Sequence, residues 1–278
     1  MSLSPCLSAL RETDRDRYLA CLLSPEDKRE DLAALYAFNA ELARIRDLVR
    51  EPLPGEVRMQ WWRDLLEGNA HGESQSNPVA AGLLAAIETH RLPGSALVEL
   101  IETRIFDLYD DPIENRGALE AYAGHTASAL IQLSSLVLDP SAAASHAETA
   151  GHAGVAQTIA GLLMLMPHHS RRGQLYLPLD ILAATGLDRE TFLEGKDKAR
   201  IGAAIEAFAG LGREHLAKAR SAGKVTPSLF PAYLPVTIAG PVLEKAVRIK
   251  AGLFDSPLQF SQLRRQFRMA VCLMRGRF

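Results

Sequence analysis

The stretch that decides the fold is residues 157–178, with the sequence Gln-Thr-Ile-Ala-Gly-Leu-Leu-Met-Leu-Met-Pro-His-His-Ser-Arg-Arg-Gly-Gln-Leu-Tyr-Leu-Pro. Its apolar first half predicts the end of a buried helix. The following His-His-Ser-Arg-Arg-Gly segment predicts a basic turn, and Tyr-Leu-Pro-Leu-Asp predicts the entry to another helix. No Asp or Glu occurs between Thr149 and Leu179. The stretch therefore lacks carboxylates, the hard oxygen ligands that Mg²⁺ prefers.

Length and composition describe an ordinary globular protein. The 278 residues can bury one sizeable core, and 47% of them are hydrophobic while 23% are charged. The formal net charge of -2 gives no global attraction for nucleic acid, so we expect no nucleic-acid partner. Cys6, Cys21 and Cys272 match no metal-binding spacing and predict reduced thiols.

The first residues and the longest apolar run predict where the protein resides. Met-Ser-Leu-Ser-Pro-Cys at the start has no basic region followed by a long apolar run, so we expect no signal peptide. The apolar run 159–166 is too short to span a bilayer and predicts a buried helix. We therefore expect a cytoplasmic location; peripheral contact at the inner membrane is a separate expectation, which rests on the basic C-terminal segment 259–278.

Apolar residues recur at helical spacing along most of the chain, and no run alternates with the period of two typical of strands. Ser24 is expected to cap the first confident helix, which Pro52 and Pro54 are expected to end. Further helices are predicted at 56–67, 78–91, 95–109, 119–138, 142–166, 179–184, 189–193, 197–222, 241–250 and 257–274. Small residues on the fifth and sixth helices favour close backbone approach. The prediction is an all-α single domain that covers residues 1–278.

Three places resemble the squalene/phytoene synthase family. The first is the frame of 157–178, in which a Gln-initiated helix runs into Arg-Arg-Gly and then Tyr-Leu-Pro. The second is Ala34–Asp47, with its Ala-Phe pair, and the third is Leu100–Ala123. The resemblance extends from about Arg17 to Ala222. It implies a single-domain isoprenoid-synthase-like helical bundle with a central cavity.

The resemblance also identifies what this chain has lost. The family's Asp-Asp-x-x-Asp positions, aligned on Ala37-Phe38, are occupied here by Ala43, Arg44 and Asp47. The second acidic motif falls on Met164, Pro167 and His168, or on Leu165, His168 and His169 in the other register. Synthases of this type bind Mg²⁺ through these acids while two prenyl diphosphates condense. We therefore expect no catalytic residue, no metal site and no cofactor.

A vestigial ligand pocket is a separate expectation of the resemblance. Seven residues are candidates for it, two of them arginines whose counterparts face the diphosphate in the synthases: Asp47, Asp107, Tyr122, Gln157, Arg171, Arg172 and Tyr176. Arginine presents a forked set of donors to phosphate or carboxylate. The expected ligand is a prenyl or acyl lipid, while a basic surface turn at Arg171–Arg172 remains the alternative.

Adjacent His168 and His169 offer another alternative, a zinc site. Zinc needs a third and a fourth ligand, for which His125, His146 and His152 qualify only by residue type. A solvated or hydrogen-bonded turn is the competing interpretation.

Several shorter blocks resemble a non-catalytic branch of the superfamily that includes a mitochondrial assembly factor for respiratory complex I. These blocks are Phe38–Ala43, Arg58–Trp62, Ser170–Ile181, His215–Arg220 and Phe230–Leu234. The resemblance implies a pseudoenzyme whose partner is a complex I subunit or assembly intermediate. The alternative is a prenyltransferase of the squalene/phytoene synthase type, which would condense two prenyl diphosphates head-to-head and would require Mg²⁺.

The C-terminal segment 259–278 is basic and amphipathic. It contains five arginines and no Asp or Glu, and its apolar positions are Phe260, Leu263, Phe267, Val271 and Met274. This pattern is typical of a helix that lies on a membrane surface or docks on a partner. A final packing helix with a basic outer face is the alternative.

Overall fold

The computed structural model describes residues 4–69, 76–256 and 258–278. Within them the chain forms sixteen α-helices, joined by 3₁₀ turns and one π-helical segment, Gly124–Ser128. The α-helices are α1 (Pro5–Thr13), α2 (Arg15–Leu22), α3 (Arg29–Leu48), α4 (Pro52–Leu66), α5 (Pro78–His90), α6 (Gly94–Ile105), α7 (Arg116–Ala123), α8 (Ala129–Leu138), α9 (Pro140–Ala143), α10 (Ala147–Arg171), α11 (Leu179–Ala184), α12 (Arg189–Glu194), α13 (Lys198–Ser221), α14 (Phe230–Tyr233), α15 (Ala239–Ile249) and α16 (Gln262–Arg275). No strand occurs in these residues, which confirms the all-α prediction.

Side-chain caps fix several helix starts where the sequence predicts them. The Asn77 side chain accepts hydrogen bonds from the amides of Val79 and Ala80, and Pro78 occupies the first position of α5. Asp188 forms a capping box at α12, and Asp197 caps α13. These caps satisfy amides that the helix itself leaves without partners.

The described chain divides into two compact units, so the prediction of one domain stays a prediction. Unit 1 consists of Met1–Tyr109, Ala129–Ala147 and Val225–Pro235. Its central helix is α3, which packs against α1, α2, α4, α5, α6 and α8. Phe38 of α3 is fully buried, and its ring meets the edge of buried Trp62 at a centroid distance of 5.0 Å. Trp61 is half-buried, so one indole of the pair is in the core, as predicted.

A half-buried hydrogen bond joins two helices of unit 1. His90 Nε2 at the end of α5 lies 2.7 Å from a carboxylate oxygen of Asp31 on α3. Deeper in the unit, Tyr36 is buried, and burial raises the pKa of its hydroxyl well above the ordinary value, against a hydrogen bond with Ser134. The buried Tyr36 hydroxyl therefore has a partner, as buried polar groups require.

Unit 2 consists of Asp110–Ser128, Glu148–Lys224 and Val236–Phe278, and α13 packs in it against α11 and α15. Two glycines allow helices to approach closely. A Cβ at Gly154 of α10 would lie 2.5 Å from Ser128 Cα, and one at Gly212 of α13 would lie 2.7 Å from a methyl of Leu243. The close approach predicted for the small residues of the fifth and sixth helices is thereby confirmed for α10.

Some boundaries differ from the prediction. Two helices, α1 and α2, precede Ser24, whose hydroxyl donates to the Ala20 carbonyl of α2 and does not cap the next helix. Pro52 begins α4, since proline suits the first turn of a helix as well as it ends one. The predicted helix start at Pro257 lies outside the described residues, and α16 begins at Gln262.

The helical run 140–171 is long and apolar enough to cross a membrane by length and composition alone, with a mean hydropathy of 1.2 in its most apolar window. Core helices pass the same test, and 56% of that window is buried within the structure. Burial on this scale is the expected property of a packed core helix.

Candidate functional site

The two acidic candidates of unit 1 have different environments. Asp47 is exposed, near the end of α3. Asp107 is buried in the 3₁₀ turn Phe106–Leu108, where a carboxylate oxygen lies 3.0 Å from Arg104 Nη1. Because the Asp107 charge is already compensated by a cation one turn away, this carboxylate is a poor anchor for Mg²⁺.

The first motif, which in the family carries three acids, has few carboxylate side chains in this protein. Ala43 and Arg44, which replace the family's acids, are both exposed on α3. Half-buried Glu41 lies one turn away, and burial raises the pKa of its carboxyl while Arg44 opposes that shift. Of the three positions that hold acids in the family, only Asp47 keeps a carboxylate here, which is too few ligands for Mg²⁺.

The second motif is on the last two turns of α10, and the predicted basic turn is wrong in its bounds. The helix continues through Pro167 to Arg171, so His168 and His169 belong to its last turn. Arg171 Nε donates to the Pro167 carbonyl at 2.9 Å, which satisfies an acceptor near the helix end. Arg171 and Arg172 are exposed, as the surface alternative requires.

Of the aromatic candidates of unit 2, Tyr176 lines a very small cavity together with His169, and Tyr122 lies nearby. Tyr122 and Tyr176 have ring centroids 6.3 Å apart, and the His169 ring lies 4.8 Å from the Tyr176 ring. Buried Gln174 donates from Nε2 to the Tyr176 hydroxyl at 2.9 Å. The cavity beside them has a volume of about 10 Å³, enough for one water molecule and far too small for a lipid chain.

A hydrogen-bonded chain of three polar side chains links α7, α10 and α13. His215 is 5% exposed, and its Nε2 lies 3.2 Å from a carboxylate oxygen of Glu120. Its Nδ1 lies 3.1 Å from Nδ1 of His152. Since a carboxylate only accepts, neutral His215 carries its proton on Nε2, and His152 must donate from Nδ1. Burial lowers the pKa of His215, against the opposing effect of Glu120.

This chain of side chains was not predicted. From the sequence, His152 is a candidate only for a zinc site, His215 is only the first residue of the block His215–Arg220, and Glu120 has no assigned role. Glu120 on α7 and His215 on α13 are 95 positions apart in the sequence, so only the folded chain brings them together. Both ring nitrogens of His215 are engaged, and the arrangement can hold or relay a proton but leaves no nitrogen of His215 for a metal.

The zinc alternative is not supported by geometry. In the part of the chain that the structure describes, no group of three or more His, Cys, Asp or Glu side chains is placed to share a metal ion. His146 instead accepts the Thr226 amide through Nε2 at 3.2 Å. His168 and His169 have ring centroids 5.9 Å apart and serve as helix-end residues.

The predicted pocket residues are distributed over both units. Asp47 and Asp107 belong to unit 1, and the remaining candidates belong to unit 2: Tyr122, Gln157, Arg171, Arg172 and Tyr176. Of these, the structure brings Tyr122 and Tyr176 together, while Gln157 is half-buried on α10. The central cavity that would join the two groups stays a prediction.

Comparison with known proteins identifies the family. Residues 10–269 match squalene/phytoene synthase. The chain belongs to the squalene/phytoene synthase family. Its fold agrees with this membership, because a dehydrosqualene synthase solved in complex with a ligand aligns with a TM-score of 0.75 over 96% of this chain and 93% of that one. The sequence identity in that alignment is 18%, so the likeness concerns the fold.

Within the family, the chain is more similar to one kind of relative than to another. It is 35% identical over 256 residues to human NADH dehydrogenase (ubiquinone) complex I, assembly factor 6. This alignment covers 91% of this chain and 76% of the relative. The chain is 25% identical over 201 residues to the 15-cis-phytoene synthase of Synechocystis, which covers 68% and 59%. The resemblance to the non-synthase branch is thus confirmed.

Proposed function

We propose that this protein is a non-catalytic assembly factor for NADH:quinone oxidoreductase, respiratory complex I. The observation that carries the proposal is the similarity to complex I assembly factor 6, which is both higher and longer than the similarity to phytoene synthase. The partner would be a complex I subunit or an assembly intermediate. The protein would work in the cytoplasm at the inner membrane.

The chemistry of the two motifs supports a role without catalysis. Expelling diphosphate from a prenyl substrate needs divalent cations to neutralise the leaving group. Here Arg44 occupies one ligand position of the first motif, and the described stretch 149–179 that carries the second contains no acid. Retention of the fold without these ligands favours a function that uses the surface of the protein.

The experiment that tests the proposal is deletion of the gene in its host, followed by native electrophoresis of solubilised membranes. We expect less assembled complex I and a loss of NADH oxidation by the membranes, with succinate oxidation as the control. Expression of the chain in which Asp47 is replaced by Asn should restore assembly, because the role proposed here needs no metal ligand.

The prenyltransferase is the second candidate function, and the observation that favours it is the fold shared with a dehydrosqualene synthase. It predicts that deletion leaves complex I unchanged and alters the isoprenoid lipids of the host. It also predicts that the Asp47→Asn chain fails to restore the isoprenoid lipids of the deletion strain. The same strains therefore distinguish the two functions.

A further inference from the structure

The outer face of α16 is the most exposed apolar surface of the described chain. Among the large hydrophobic side chains that the structure describes, the three most exposed are Leu263 at 78%, Phe267 at 73% and Met274 at 79%. At ~100° per residue, these three positions fall within ~40° of one another around the helix. They form one stripe, which we name the α16 stripe.

The inner face of the same helix is already packed. Met269 and Cys272 are buried, and they lie roughly opposite the α16 stripe around the helix axis. Arg268 Nε donates to the Thr237 carbonyl at 2.5 Å, which ties this inner face to the rest of unit 2. Because α16 already has an apolar contact on its inner side, the α16 stripe is not needed to stabilise the fold.

The charges around the α16 stripe identify what covers it. Arg264, Arg275 and Arg277 are exposed, and the first two lie beside the stripe on the same side of the helix. Residues 259–278 contain no acid. A second copy of the chain would place like charges against one another, which opposes association. An anionic bilayer complements both features, since apolar side chains enter the acyl boundary while arginines meet the phosphates.

We propose that α16 is a membrane-surface helix that binds anionic phospholipid through the α16 stripe and its exposed arginines. The proposal rests on the proposed function only in that the protein works at a membrane. It names the element, the lipid class and the side chains involved. The helix would lie in the plane of the interface, since buried Met269 and Cys272 and the Arg268–Thr237 hydrogen bond hold its inner side to unit 2.

Vesicle flotation of the purified chain tests the proposal. We expect binding to vesicles of equal parts phosphatidylglycerol and phosphatidylethanolamine, weaker binding in high salt, and little binding to phosphatidylcholine vesicles. Phe267→Asp should weaken binding by ~10-fold or more, since it removes an apolar side chain that would be buried in the bilayer. Arg264→Gln with Arg275→Gln should weaken it by ~5-fold for each arginine. All three side chains are exposed, so the variants should keep the thermal stability of the parent.

Matched variants elsewhere separate this face from a general effect. Leu53→Asp removes an exposed apolar side chain from α4, and Arg11→Gln with Arg213→Gln removes the same charge from α1 and α13. These variants should bind vesicles as the parent does. The proposal is overturned if the parent fails to float, if the control variants lose binding equally, or if Phe267→Asp instead dissociates a dimer. Flotation uses the purified chain and complex I assembly uses the host, so failure of either leaves the other result standing.

Discussion

The contact between α10 and the π-helical segment gives the sharpest prediction of stability. Replacing Gly154 with alanine would place a Cβ 2.5 Å from Ser128 Cα, and closer still to the Ser128 amide nitrogen and Oγ. Restoring an ordinary contact needs the two segments to separate by ~1 Å, because the obstructing atoms belong largely to the backbone. That separation would also stretch the 2.9 Å hydrogen bond from Ser128 Oγ to the Gly151 carbonyl.

The expected loss of stability follows from three effects, of which two are unfavourable and one is favourable. Overpacking costs up to about 3 kcal/mol, the lost hydrogen bond costs about 1 kcal/mol, and alanine gains about 1 kcal/mol in helix propensity. We therefore expect Gly154→Ala to destabilise the protein by about 3 kcal/mol. At about 2–4 °C per kcal/mol, its Tm should fall by about 6–12 °C in a thermal scan.

Gly161 on the same helix provides the matched control. A Cβ at Gly161 would have no atom within 4 Å, so Gly161→Ala gains propensity without a clash. With a gain of about 1 kcal/mol, its Tm should rise by about 2–4 °C. If Gly154→Ala is as stable as the parent, or if both variants move in the same direction, the close approach of α10 to Ser128 is wrong.

The remaining predictions concern titration, ligand binding and chemistry. Because burial holds the pKa of His215 below its ordinary value, the folded state resists protonation there. The contribution of neutral His215 to the free energy of unfolding is fully present above about pH 6.5, and it falls at lower pH by at most about 1.4 kcal/mol per pH unit. In urea unfolding, the His215→Gln variant should therefore lose less stability at low pH than the parent. Equal pH dependence of the two proteins would contradict this. A prenyl or acyl lipid that binds the folded protein should raise Tm equally with Mg²⁺ and with EDTA, whereas no rise with any lipid would refute a retained lipid site. Labelled farnesyl or geranylgeranyl diphosphate with Mg²⁺ should yield no squalene, phytoene or presqualene diphosphate, and turnover to any of these would favour the prenyltransferase.

The sequence predicted the helices whose signals are local. Asn77-Pro78 marked the start of α5, and the bounds of α11 were predicted without error, because caps and prolines act within one turn. The extension of α10 through Pro167 was not predicted. Proline usually ends or kinks a helix, so Pro167 favoured an end near Met166, whereas α10 continues to Arg171.

The candidate site was less predictable than the fold. The loss of carboxylates could be read directly from residues 149–179, since an absent residue type needs no structure to be seen. The partners of the remaining site residues could not be predicted from the sequence. Asp107 pairs with Arg104 one turn away, while His215 meets Glu120 across 95 positions of sequence. Contacts of the second kind depend on the packing of whole helices, which periodicity alone does not determine.

The central claim is that the protein assists complex I assembly without transferring prenyl groups. The most direct measurement is the amount of assembled complex I in membranes of the deletion strain complemented with either the parent chain or Asp47→Asn. We expect that deletion lowers the amount of assembled complex I and that both chains restore it equally. Unchanged complex I in the deletion strain, together with altered isoprenoid lipids that only the parent chain corrects, would contradict it.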